Sequence, residues 1–169
     1  MNKFRVEMEK WKASYEDKKK SIVGEEYNDE YGKYLGEMEG GKPSGIGSEL
    51  CVDGAKYEGE YKKGMQFGKG ILHFPDGTRY EGSYKYGLEN GKGIEYYGNG
   101  ERYEGEWKNG KKSGKGLEIF SNGDKYVGMW KEGEKSGKGV YYYNNGNIYV
   151  GDYKKGQPNG KATEYFANG

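Results

Sequence analysis

The sequence repeats itself every 23 residues, and that period constrains the fold more than any other feature. A tyrosine recurs at Tyr34, Tyr57, Tyr80, Tyr103, Tyr126 and Tyr149, with no insertion to break the spacing. A fixed period in this range marks a repeat architecture, in which each unit buries its apolar face only against its neighbours. Bulk composition alone points the other way. Only 32% of the 169 residues are hydrophobic and 33 are glycine, a poverty that commonly leaves a chain disordered. The 19 tyrosines, placed at regular intervals, supply the apolar area that a stack of units needs.

Within a unit, glycine follows the leading tyrosine at the third position (Gly36, Gly59, Gly82, Gly105, Gly128, Gly151). An aromatic follows at the fifth (Tyr61, Tyr84, Trp107, Trp130, Tyr153), with Met38 in the first unit. This spacing of two places tyrosine, glycine and aromatic on one face of a strand. A second strand opens with Gly-Lys-Gly, as at Gly114, Lys115 and Gly116, and ends at Phe74, Tyr97, Phe120, Tyr143 or Phe166. The unit closes with Asp53-Gly54, Asp76-Gly77, Asn99-Gly100, Asn122-Gly123 or Asn145-Gly146. Such pairs favour a two-residue type I′ hairpin turn. Counting outward from that turn, Tyr96 faces Tyr103, Ile94 faces Gly105 and Lys92 faces Trp107. Likewise Ile119 faces Tyr126, Leu117 faces Gly128 and Lys115 faces Trp130. One face then carries Tyr, Gly and Trp with a lysine over the ring, a contact worth about 0.5–1 kcal/mol if exposed. The other carries the Phe/Tyr row among Arg102, Glu104 and Glu106. The expected fold is all-β: an elongated, curled, single-sheet meander of stacked hairpins with an exposed aromatic groove.

Residues 1–23 hold no glycine and no proline. Phe4, Met8, Trp11 and Tyr15 fall on one face of a helix, which would cap the sheet or dock a partner. A second reading keeps the 23-residue register and makes the segment a decayed hairpin, aligning Trp11, Ala13, Tyr15 and Gly24 with Tyr34, Gly36, Met38 and Gly47. The helix is preferred, because the turn glycines are missing. Residues 24–33 read as half of a degenerate repeat, and 34–169 as six regular units.

The pattern Tyr-x-Gly-x-Trp/Tyr followed by Gly-x-Gly at this period resembles the MORN repeat (membrane occupation and recognition nexus), from Tyr34 to Gly169. Met38, Cys51 and Ala162 depart from it. The resemblance implies hairpin arrays without catalysis. Relatives serve as scaffolds in the cytoskeleton, in cilia and flagella (radial spoke heads among them) and at membrane contacts. Others sit beside catalytic domains, of a kind this sequence does not contain.

No catalytic residue, metal ligand set or cofactor is expected. Gly110–Gly116 looks like a P-loop but has one residue too few between its glycines and no Ser/Thr after the lysine. His73, the only histidine, takes the place of Tyr96, Tyr142 and Tyr165. Cys51 takes a Phe/Tyr place and is expected to pack as a small hydrophobe. Charge is balanced at 28 Lys+Arg against 27 Asp+Glu, which speaks against a dedicated nucleic-acid binder. No apolar run is long enough for a membrane span, no secretory signal is read, and one cysteine fits a reducing compartment. The expectation is a cytoplasmic, cytoskeleton-associated structural or adaptor protein, with a ciliary or flagellar axoneme as its setting. Its partner would lie in the aromatic groove of Tyr57, Tyr61, Tyr80, Tyr84, Tyr103, Trp107, Tyr126, Trp130, Tyr149 and Tyr153, or on the open edge at Lys161–Phe166. That edge also suggests an array continuing past Gly169. The alternative is a peripheral membrane module, with Lys62, Lys85, Lys108, Lys131 and Lys154 meeting anionic lipid. The second lysine row, Lys69, Lys92, Lys115, Lys138 and Lys161, is read as a structural ladder over the rings.

Overall fold

The computed structural model describes residues 3–20, 25–28 and 32–168. Its elements are one helix followed by thirteen antiparallel strands, each paired with its neighbour in sequence. The chain divides into two compact units, Met1–Asn90 and Gly91–Gly169. The first holds α1 (Lys3–Lys20), β1 (Glu25–Asn28), β2 (Gly32–Glu39), β3 (Lys42–Cys51), β4 (Lys56–Lys62), β5 (Met65–His73), β6 (Arg79–Lys85) and the start of β7 (Leu88–Tyr96). The second holds the rest of β7, then β8 (Arg102–Lys108), β9 (Lys111–Ile119), β10 (Lys125–Lys131), β11 (Glu134–Tyr142), β12 (Ile148–Lys154) and β13 (Gln157–Tyr165). Of the stretch 24–33, residue 24 and residues 29–31 lie outside the described residues, as does Gly169.

The helix forms where its apolar spacing predicts, and Phe4, Met8 and Tyr15 are buried. Three lysines fill its last turn, where positive charge complements the helix dipole.

Each unit builds a core from a single sheet. The ring of Tyr103 lies across Gly105 and its cross-strand partner Gly116. A Cβ on either glycine would collide with that ring, so only glycine admits the close approach. The Tyr103 hydroxyl donates to the Glu106 carbonyl at 3.0 Å, which satisfies the polar end of a fully buried side chain. Tyr57 repeats the arrangement over Gly59 and Gly70, donating to the Glu60 carbonyl at 3.1 Å. Between the flat tyrosines stand the fifth-position rings, edge-on. Tyr57 meets Tyr61 and Tyr84 at 5.2 and 5.0 Å, and Tyr103 meets Trp107 and Trp130 at 5.3 and 5.1 Å. Such pairs add about 0.5–1.5 kcal/mol each beyond burial.

The register differs from the one counted from the Asn-Gly pairs. Tyr103 faces Glu95, Gly105 faces Gly93 and Trp107 faces Gly91; Tyr126 faces Glu118, and Trp130 faces Gly114. The reason lies in the turns. The two-residue connection sits mid-unit, at Lys63-Gly64, Tyr86-Gly87, Asn109-Gly110, Glu132-Gly133 and Lys155-Gly156, where both residues have positive φ as a type I′ turn requires. The Asp-Gly and Asn-Gly pairs close longer loops. Phe74 donates its N–H to the Thr78 carbonyl, Gly77 donates to the Phe74 carbonyl, and Asp76 Oδ1 accepts the Thr78 N–H at 2.8 Å. This is the three-residue hairpin loop whose last residue is left-handed. One added loop residue shifts the pairing by one, and a one-residue slip moves every side chain of the second strand to the opposite face.

Candidate functional site: the two faces of the repeat sheet

The corrected register defines an inner face of rings and an outer face of alternating charged and aliphatic side chains. Tyr57, Tyr61, Tyr80, Tyr84, Tyr103, Trp107, Tyr126, Trp130, Tyr149 and Tyr153 all lie on the inner face, and none is more than 7% exposed. Within each unit they are packed against one another and form no open groove, because the flat tyrosines and edge-on rings fill the space that glycine leaves.

The cations over these rings are not Lys92 and Lys115. Lys92 lies opposite Glu106, and Lys115 opposite Met129, both on the outer face. The second unit instead brings in Lys112 and Lys135. Lys112 stands 4.7 Å from the Tyr103 ring and 4.9 Å from Trp130, and pairs with Glu118 at 2.5 Å. Lys135 stands 4.5 Å from Phe120 and 5.0 Å from Tyr126, with Glu118 at 3.8 Å. Burial pulls the Lys135 ammonium below its ordinary pKa, only partly opposed by Glu118, while burial pushes the Tyr126 phenol up to about 12. Sequence reasoning missed both lysines, since they occupy a position held by Pro43, Gln66, Glu89 and Pro158 elsewhere. The Phe/Tyr row belongs to this inner face too, with Phe120 stacked on Tyr141 at 5.7 Å.

On the outer face of the first unit, one cross-strand row reads Leu35, Ser48, Glu58, Ile71, Glu81. Helix α1 lies over it. Lys19 bonds Glu58, Lys12 reaches Glu81 at 2.5 Å, the Trp11 indole donates to Glu60 at 2.8 Å, and the Tyr15 hydroxyl donates to the Gly47 carbonyl at 2.9 Å. Glu58 would be raised by burial, but Lys19 and Lys56 hold it below the ordinary carboxylate range. Glu81 is 4% exposed and fully engaged, with Arg79 at 2.8 Å on its other oxygen.

On the outer face of the second unit, the equivalent row reads Ile94, Glu104, Leu117, Val127, Val140, Val150, Thr163, apolar from Leu117 to Val150. A shallow groove of about 540 Å³ runs along it, bordered by Lys138 and Lys161. Val127 and Val150 are 45% and 40% exposed.

The remaining residues singled out in the sequence take ordinary places. Lys62, Lys85, Lys108, Lys131 and Lys154 are exposed at hairpin ends on the outer face. The Cys51 thiol is free, half-buried, and pushed up by burial and then by Glu49 and Asp53. His73 is exposed at the end of β5, its imidazole held down by burial and Arg79. Among the described residues no three His, Cys, Asp or Glu side chains gather as a metal site, and no helix is long and apolar enough to cross a membrane.

Hairpins keyed by a tyrosine over paired glycines, with Ala162 in place of the second glycine under Tyr149, define a class of repeat protein. The sequence matches the MORN repeat over residues 34–56, 57–79, 80–102, 103–125, 126–148 and 149–169, and the chain belongs to that family. No curated protein matches it. Among solved structures it is similar to the SAS-4 (dCPAP) TCP domain of Drosophila melanogaster, in complex with a proline rich motif of Ana2 (dSTIL). That likeness is 14% identity, 88% of each chain and a TM-score of 0.50. The TCP10 domain of Danio rerio CPAP, in complex with a STIL peptide, aligns at 12% identity over 63% of this chain and 52% of that one, with a TM-score of 0.33.

Proposed function

We propose that this chain is a non-catalytic scaffold that holds a protein partner inside a cytoskeletal or ciliary assembly of the cytoplasm. The observation that carries this is α1 itself. An outer repeat face already receives a helix, through an apolar stripe and polar contacts at four of its residues. The Drosophila neighbour, which shares the fold, was solved with a peptide motif bound, and that supports the same reading. The ten buried ring positions serve as the frame, and the partner meets the faces and edges that the frame holds.

Proximity labelling of the full chain in ciliated cells tests this. Enrichment of axonemal or cytoskeletal proteins over a diffusing control is expected, and enrichment of none overturns it. A second reading, binding of anionic phospholipid, is favoured by the exposure of the five hairpin-end lysines. Flotation with phosphatidylserine vesicles at low and high salt decides that one, and vesicle binding that does not fall with salt overturns it.

A further inference from the structure

On the outer face, β9–β13 present what the first unit keeps covered, with the charge inverted. The residue after the leading tyrosine is Leu35, Glu58 and Glu81 in the first unit, the two glutamates engaged by lysines of α1, and Glu104 in the repeat that begins at Tyr103. In the last two repeats it is Val127 and Val150. Two residues further on, Glu60, which accepts from Trp11, has Met129 as its counterpart. The acids that hold the helix have thus become an apolar row. Beside that row β9–β13 place exposed Lys115, Lys125, Lys138 and Lys161, with Asp152 bonded to Lys138 at 2.9 Å, while Glu104 and Glu106 of β8 border only its Leu117 end. The five strands from β9 to β13 span about 20 Å at the usual strand spacing, which a helix of about 13 residues crosses.

We infer that the outer face of β9–β13 is a docking site for an acidic amphipathic helix of a partner protein. Charge complementarity selects this occupant. A basic helix such as α1 would set its lysines against Lys115, Lys138 and Lys161, whereas glutamates flanking an apolar stripe would meet them. The apolar stripe would cover Val127, Val140 and Val150. Opposite charge gives such a contact its specificity and its speed of association, and the buried row gives it affinity. This rests on the scaffold reading above and names the surface and partner chemistry for it.

The test uses the full chain, isotope-labelled, and three 18-residue peptides. The first keeps the apolar spacing of Phe4, Met8, Trp11 and Tyr15 with glutamate at the flanking positions. The second has the same residues scrambled, and the third is the basic sequence of α1. Chemical-shift mapping is expected to place the acidic peptide on Val127, Val140 and Val150, with binding at least tenfold weaker for the scrambled and basic peptides. Val127→Glu with Val150→Glu, at two exposed positions that leave the fold intact by circular dichroism, is expected to lose binding tenfold or more. Lys138→Glu with Lys161→Glu is expected to do the same. Equal binding of the scrambled peptide, shifts confined to the inner face, or no effect of either double variant would overturn the inference. So would light scattering that shows a dimer broken by Val127→Glu with Val150→Glu, since a second copy would then fill the face. Vesicle binding lost in the valine variant, with no peptide binding, would assign the face to membrane instead. Proximity labelling with the valine variant separates the two levels. Unchanged protein neighbours would sink this site and keep the scaffold, whereas no protein neighbours even for the native chain would sink the scaffold.

Discussion

The two units solve the same packing problem on their inner faces and different problems on their outer ones. Inside, Tyr57 over Gly59 and Tyr103 over Gly105 are the same device, repeated to within 0.1 Å in the hydroxyl bond to the third following carbonyl. Outside, the first unit has a helix across its row of Glu58 and Glu81, whereas the second leaves Val127 and Val150 open. The repeat therefore fixes the core and leaves the outer face free to vary. What distinguishes one member of such an array from another is to be sought on the outer face.

Removing one apolar side chain from the covered face and one from the open face is expected to give the largest difference between the two units. Met8 is 1% exposed, so Met8→Ala is expected to cost about 2–5 kcal/mol, the range for burying a methionine-sized cavity. Val127→Ala, at a position 45% exposed, is expected to change stability by no more than about 0.5 kcal/mol. Urea denaturation followed by circular dichroism gives both numbers. Equal costs would mean that Val127 is covered in solution, or that α1 is not seated.

The inner faces predict the opposite, equality. Gly59→Ala and Gly105→Ala both drive a Cβ into a tyrosine ring whose hydroxyl is tied down. Each is expected to cost about 1–3 kcal/mol, as overpacking does, and the two losses are expected to match within about 0.5 kcal/mol. Hydrogen exchange resolved by strand reads this locally. A loss at Gly59 much smaller than at Gly105 would show that α1 buttresses the first core and that the two units are not equivalent.

Much of this was legible in the sequence, because period and face are set by spacing. The helix at Lys3–Lys20 followed from Phe4, Met8 and Tyr15, and the strands from tyrosine, glycine and ring at alternate positions. What misled was turn chemistry. Asn99-Gly100 fits a two-residue turn, but Asn99 Oδ1 accepts the Glu101 N–H at 3.0 Å in a longer loop, and that local bond is available to either turn. The true tight turns carry Lys63, Tyr86 or Glu132 at positive φ, residues that announce no such conformation. The slip by one then put Lys92 over Trp107 on paper and hid Lys112 and Lys135. It also mixed the two outer-face rows, so the change from Glu58 and Glu81 to Val127 and Val150 could not be seen as a change of surface. The burial of the aromatic face was hidden for another reason. A single-layer sheet leaves a face open unless its rings close on each other, and that depends on Tyr103 lying flat across Gly105 and Gly116, a geometry spacing does not reveal.

Acid separates the two outer faces most gently. Glu58 has its folded pKa below the ordinary value, because Lys19 of α1 and Lys56 of its own strand outweigh the burial that would raise it. A carboxylate shifted this way adds stability that is complete above its unfolded pKa, about 4.3, and is lost as pH falls through the lower folded value. The anchoring of α1 is therefore expected to be pH-independent from about pH 7 to 5 and to weaken below about pH 4. Its loss should be smaller than that of Met8→Ala, since Met8, Phe4 and Tyr15 keep their apolar contacts. The last two repeats have Val127 and Val150 in the matching places, side chains that carry no titratable group. The Trp11 indole N–H, bonded to Glu60, reports the helix, while the Trp107 and Trp130 indoles report the second unit. In proton–nitrogen spectra the Trp11 resonance is expected to shift first as pH falls from 5 to 3, with the other two holding until the sheet unfolds. If all three move together, α1 and the repeat array are one cooperative element, and the covered outer face is as much a part of the core as the rings beneath it.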